Sequence, residues 1–70
     1  NNSISIEVRK EMTQGNIVVF DILGKEVLRQ QFRGNNTQIQ TGQLSSGFYI
    51  LMILEGNNIL HTEKMIKVQP

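Results

Sequence analysis

The chain has no cysteine, no tryptophan and one proline, which is its last residue. Without cysteine there is no disulfide framework, no thiolate metal site and no cysteine nucleophile. The compartment stays open, because exported domains do not all carry disulfides. Aromatics are scarce as well, with three Phe and one Tyr. Charge of one sign is lacking: seven basic and six acidic side chains leave a net charge of +1. Such a balance attracts neither nucleic acid nor an anionic membrane from a distance. Long hydrophobic runs are missing too. The longest, Phe48 to Leu54, has seven residues, whereas a membrane-spanning helix needs about twenty. The start is not a basic stretch followed by an apolar one, which speaks against a signal peptide at Asn1. The chain opens at once on a strand-like pattern, so we expect a piece cut from something longer.

What remains is a single domain, residues 1–70, with 39% apolar residues. One core below about 70–80 residues rarely supplies more than about 3–5 kcal/mol. The dominant period is two. Ile4, Ile6 and Val8 alternate with Ser3, Ser5 and Glu7, as on a half-buried strand. Arg9 to Asn16 is polar and ends in Gln14-Gly15-Asn16, a turn signal. Ile17 to Ile22 is almost continuously apolar and predicts a central strand covered on both faces. Asp21 to Lys25 predicts a turn, with Gly24 at a positive φ and Asp21 accepting from turn amides. Val27 to Phe32 is a weaker strand, Arg33 to Asn36 a turn, and Thr37 to Thr41 a short strand around Ile39. Gly42 to Gly47 reads as a loop in which Leu44 plugs the core. Phe48 to Leu54 is the core strand, and Glu55-Gly56-Asn57-Asn58 is a strong hairpin signal. Ile59 to Thr62 and Lys64 to Val68 complete the pattern.

Six or seven short strands about ten residues apart predict an all-β antiparallel sandwich or small barrel, with no helix beyond one turn. Val18, Phe20, Ile50, Met52 and Ile66 are the expected buried residues. The inward face of Ile17 to Ile22 stays open, because both faces are apolar.

Constellations for chemistry are weak. His61 is the only histidine, and Glu63 shares its strand face. A zinc site needs three or four ligands, so a solvated pair is the better reading. A Ser-His-Asp set would draw on Ser3, Ser5, Ser45 or Ser46 with His61 and Asp21, but no Gly-x-Ser-x-Gly elbow exists. Gly24-Lys25 ends like a phosphate loop, yet Val19 and Glu26 stand where that motif needs Gly and Ser or Thr. Carboxylates are scattered over turns and faces. Asn1-Asn2-Ser3 and Asn35-Asn36-Thr37 match the glycosylation triplet, and such triplets also arise in Asn-rich turns. The sequence therefore offers no catalytic, cofactor-binding or metal residues. Lys64 and Lys67 flank Met65 and Ile66. They read either as solvated lysines guarding an edge strand or as a charged terminal strand offered to a receptor.

The order of segments carries more than any single residue. Val18-Val19-Phe20-Asp21-Ile22-Leu23-Gly24-Lys25-Glu26-Val27 is followed by Ile39, by Leu44-Ser45-Ser46-Gly47-Phe48-Tyr49-Ile50-Leu51, and by Lys64-Met65-Ile66-Lys67-Val68. This order resembles the C-terminal sorting domain of type IX secretion cargo from Bacteroidota, over essentially the whole chain. The Pro-Asn-Pro-like start common in that family is absent, and Gln69-Pro70 extend past its usual end.

The resemblance implies an immunoglobulin-like β-sandwich of about seven short strands that acts as a non-catalytic export signal. It implies an attached N-terminal cargo domain, passage from periplasm through the type IX translocon, and removal at the cell surface by a sortase. The motif residues it implies are Gly24, Leu44, Gly47, Tyr49, Lys64, Lys67 and Val68. Beside it stands a second reading, a fibronectin-like or immunoglobulin-like spacer or adhesion module of a surface enzyme. An exposed edge leaves a strand-paired or strand-swapped homodimer open.

Overall fold

The computed structural model describes residues 2–68. Among them there is no helix, and the backbone forms four strands: β1 (Ser3–Asp21), β2 (Glu26–Gln40), β3 (Gly47–Glu55) and β4 (Asn58–Lys67). They make one antiparallel sheet in the order β2-β1-β3-β4. The all-β expectation holds. Seven strands in two sheets is corrected, because pairs of the short strands are continuous. The polar stretches Arg9 to Asn16 and Arg33 to Asn36 are not hairpin turns. They lie opposite one another inside the β1–β2 ladder.

That ladder is bent at this point, and its register shows how. From Glu7 to Met12, β1 advances five residues while β2 goes only from Asn36 to Gly34; from Met12 to Gly15, β1 advances three against two. The surplus on β1 makes bulges, which kink a ribbon and strengthen its twist. A straight 19-residue strand would reach about 63 Å at roughly 3.3 Å per residue. The whole molecule measures 34 Å along its longest axis, so β1 must fold back on itself. The sequence signals were sound, but the chain uses them to bend a long strand rather than to end two short ones.

Folding back buries one face. Met12, Ile17, Val19, Phe32, Ile39, Leu44, Tyr49, Leu51 and Ile53 form the core cluster, with Ile6 and Val8 packed against it. Residues from the N-terminal arm of the ribbon thus meet residues from the four-stranded part. Gly15 sits at the bend for a steric reason. A Cβ there would stand 2.4 Å from the Phe32 carbonyl oxygen and 2.9 Å from the Met12 Cε, so only glycine lets the two strands approach this closely.

The inward face of Ile17 to Ile22, left open by the sequence, is the one that carries Ile17 and Val19. On β1 and β3 the core takes Ile17, Val19, Tyr49, Leu51 and Ile53. Of the residues expected inside, Val18 is buried, Phe20, Ile50 and Met52 are half-buried, and Ile66 is exposed at 61%. Val18 stands apart from the core cluster. It lies on the outer face, between Arg29 of β2 and Met52 of β3. The central strand is therefore apolar on both faces, as its composition implies; its inner side chains join the core cluster, while on the outer face Val18 is buried among its neighbours and Phe20 is half-buried.

The turns follow the sequence signals. Asp21 Oδ1 accepts from the Leu23 and Lys25 amides, each at 2.9 Å, and Gly24 takes φ 86°. Glu55 pairs with Asn58 across a two-residue hairpin at Gly56-Asn57. The Glu55 carboxylate also reaches the bend, accepting from Thr13 Oγ1 at 2.9 Å and from the Thr13 and Gln14 amides at 3.3 and 3.4 Å. The Thr13 hydroxyl bond, with help from those amides and from Lys10, holds the Glu55 pKa below its ordinary value.

Candidate functional site

The C-terminal ends of β1 and β4 and the N-terminal ends of β2 and β3 share one end of the sheet. All seven motif residues gather there. Gly24 is in the β1–β2 turn. Gly47 opens β3 and pairs with Lys67, Tyr49 pairs with both Asp21 and Met65, and Lys64 pairs with Ile50. Val68 follows β4, and Leu44 lies in the loop before β3. Residues up to 44 positions apart in sequence thus share one end of the sheet, with Leu44, Tyr49 and Lys67 buried and Gly24, Lys64 and Val68 exposed.

The loop between β2 and β3 is the hub of this end. Thr41 is buried, its amide donates to the Asn2 carbonyl at 2.7 Å, and its carbonyl accepts from the Leu44 amide at 3.0 Å. This fold of the loop drives Leu44 into the core, where it is 4% exposed, as a plug. Tyr49 buries its ring and donates its hydroxyl to the Ser45 carbonyl at 2.7 Å. An aromatic ring with a bonded polar tip suits a strand end of this kind.

Lys67 departs from the solvated role. It is only 7% exposed, and its Nζ donates to the Thr41 carbonyl at 2.9 Å. The last strand alternates, with Ile66 and Val68 on one side and Met65 and Lys67 on the other. The sides are exchanged: Met65 and Lys67 face in, while Ile66 and Val68 are 61% and 71% exposed. A long lysine stem can line an apolar wall while its ammonium reaches a carbonyl. Lys67 therefore ties the end of β4 to the loop that carries Leu44 and leads to Tyr49. Lys64, by contrast, is exposed, and among the described residues it makes no ion pair.

Outside this end, His61 Nε2 and Glu63 Oε1 lie 2.8 Å apart on the solvated surface of β4. Among the described residues no three His, Cys, Asp or Glu side chains converge as a metal site. The serines and Asp21 of the rejected triad are likewise separate: Asp21 serves its own turn, and His61 pairs with Ile53 near the far hairpin. Asn36 sits in β2 opposite Glu7. Asn1 and the Gln69-Pro70 extension lie outside the described residues. Glu26 and Arg29 form a two-pronged surface pair at 3.0 and 3.1 Å. The Arg29 hydrogen bonds, together with its charge, hold the Glu26 carboxyl below its ordinary pKa.

Sequence reasoning missed Thr41 and Ser45, because they act through backbone carbonyls that no residue type announces. It also missed the open apolar face of Phe48 and Ile66. The double-sided apolarity of Ile17 to Ile22 was the available signal for that face.

The described residues form a bent antiparallel sheet with the seven motif positions near one end. The chain belongs to the family of secretion system C-terminal sorting domains, whose model it matches over residues 1–68. It is therefore a type IX secretion sorting signal. Among curated proteins it is similar to an endo-acting ulvan lyase of Formosa agariphila, 28% identical over 65 residues. That match spans 91% of this chain and 12% of the lyase. No solved structure matches.

Proposed function

We propose that this domain carries an N-terminally attached cargo from the periplasm through the type IX outer-membrane translocon. On this reading a surface sortase then removes it, and the cargo stays at the cell surface or is released. The observation that supports the reading best is the gathering of Gly24, Leu44, Gly47, Tyr49, Lys64, Lys67 and Val68 at one end of the sheet. On this reading the buried Leu44, Tyr49 and Lys67 hold that end in shape, and the exposed Gly24, Lys64 and Val68 are what a receptor would meet. The similarity to part of a much longer lyase fits a module joined to a cargo. The cargo's own activity would reside outside these residues, and the domain itself would contribute no catalysis.

The test is export of a reporter fused ahead of the domain in a type IX-competent host. Deleting Lys64 to Pro70 is expected to leave the reporter in the periplasm. Lys64→Ala separates recognition from unfolding: Lys64 is exposed and such changes usually stay within about 0.5 kcal/mol, so reduced export with an unchanged urea midpoint is expected. Lys67→Ala is a stability variant, since Lys67 is buried on the Thr41 carbonyl. Undiminished export of the full deletion would refute the sorting reading and favour the spacer module.

A further inference from the structure

The outer face of the sheet is apolar and, away from the buried Val18 near its centre, lies open. Phe48 pairs with Ile66, and Ile50 stands between Phe20 of β1 and Lys64 of β4. Phe48 and Ile66 are 56% and 61% exposed, and Ile22 of the neighbouring turn is 74% exposed. Ile22, Phe48, Tyr49, Ile50 and Lys64 line a shallow groove. Scattered surface apolar residues need no explanation, but a contiguous group around a groove marks an interaction site.

The charge on this face narrows the occupant. Lys64 lies among the apolar side chains without an ion-pair partner among the described residues. The carboxylate that shares the face, Glu26 opposite Phe20, is held from two sides by Arg29. A second copy docked through the same face would bring another Lys64 and, among the described residues of that face, no carboxylate but the one Arg29 holds, leaving two ammonium groups desolvated without partners. An anionic membrane calls for a cluster of cations, whereas here there is one on a chain of net charge +1. A protein segment with apolar side chains and one carboxylate satisfies both halves of the surface. β4 is also an edge of the sheet. An extended segment laid beside it can bond main chain to main chain and turn alternate side chains over this face.

We propose that the groove of Ile22, Phe48, Ile50 and Lys64, continued by Ile66, docks an extended, apolar segment of a partner protein through a carboxylate that meets Lys64. The proposal rests on the sorting reading only for what the partner does. The binding chemistry stands on the face itself.

Two probes test it on the 70-residue chain. The first is octanoate, compared with octyltrimethylammonium, each titrated while backbone amides are followed by NMR. Octanoate is expected to shift Ile22, Phe48, Ile50, Lys64 and Ile66 saturably and to bind about tenfold more tightly than the cationic probe, the scale of one charge-assisted contact. Lys64→Gln is expected to abolish that preference. Shifts centred elsewhere, or equal responses to the two probes, would overturn the proposal. The second probe is a displayed library of random linear peptides. Enriched sequences are expected to alternate apolar residues with an Asp or Glu, and to lose binding to the Phe48→Ser, Ile66→Ser double variant. Binding to phosphatidylcholine–phosphatidylglycerol vesicles, or a dimer in sedimentation through this face, would replace the proposed occupant. Export then separates the two readings. If the double variant folds and is exported normally while deletion of Lys64 to Pro70 blocks export, the face is wrong and the sorting reading stands.

Discussion

The two faces of the sheet are built from the same kinds of residue and end in opposite states. On the inner face, Ile17, Val19, Leu51 and Ile53 are between 0% and 6% exposed. On the outer face, only Val18 at the centre is buried; Phe20, Ile50 and Met52 are half-buried, and Phe48 and Ile66 are open. Hydropathy does not separate them. The bend does, because the folded-back arm of β1 and β2, with Leu44, covers one side only. A strand's composition records how much apolar surface it has, while the position of the bend decides which surface is spent on stability and which is left for a partner.

The largest test of this contrast lies at the core and the bend. Phe32→Ala is expected to cost about 3–5 kcal/mol, which is the whole stability typical of a domain this small. The variant should be unfolded at room temperature by circular dichroism. Gly15→Ala should also be severe, since the new Cβ would meet the Phe32 carbonyl oxygen at 2.4 Å; a normal urea midpoint would contradict the bend geometry.

The next effect probes how the motif end is held together. Lys67→Ala is expected to cost about 1.5–3 kcal/mol, the range for hydrogen bonds to charged groups, measured by urea unfolding. Tyr49→Phe removes only the hydroxyl bond to the Ser45 carbonyl and should cost about 0.5–1.5 kcal/mol. If both were neutral, the loop hub would have no energetic part in the fold.

Acid sharpens the comparison from the other end. Glu55 has a lowered pKa in the folded state, chiefly through the Thr13 hydroxyl bond. A lowered folded pKa adds stability above the ordinary unfolded value, and that contribution is lost as pH falls through the folded pKa. Glu55→Gln should therefore flatten the acid side of the stability–pH curve and leave the neutral-to-basic side unchanged in shape.

The smallest effect is expected on the outer face. Ile66→Ser should change stability by no more than about 0.5 kcal/mol, as surface substitutions do. The same change at Ile53 should unfold the domain.

These contrasts show what sequence could and could not disclose. The hairpin at Gly56-Asn57, the Asp21 turn and the Leu44 plug were all legible, because each depends on local residue chemistry. The order of motif segments was legible as a family pattern. Strand count was not: Gln14-Gly15-Asn16 and Arg33-Gly34-Asn35-Asn36 have turn composition, and only their pairing across the ribbon makes them a bend. The inward face was not legible, since Ile17 to Ile22 offers apolar side chains to both. Lys67 was misread because its partner is the carbonyl of Thr41, 26 residues away, and a lysine without a nearby acid gives no hint of burial.

The most direct measurement of the two-face account is methyl-resolved NMR of the isoleucines with a neutral soluble nitroxide. Ile22, Ile59 and Ile66 are 74%, 57% and 61% exposed, so their methyl signals should broaden strongly. Ile17, Ile39 and Ile53, at 0%, 0% and 5%, should stay sharp. Ile66 methyls as protected as those of Ile53 would contradict the account, placing the terminal strand's outer side under cover rather than open to a partner.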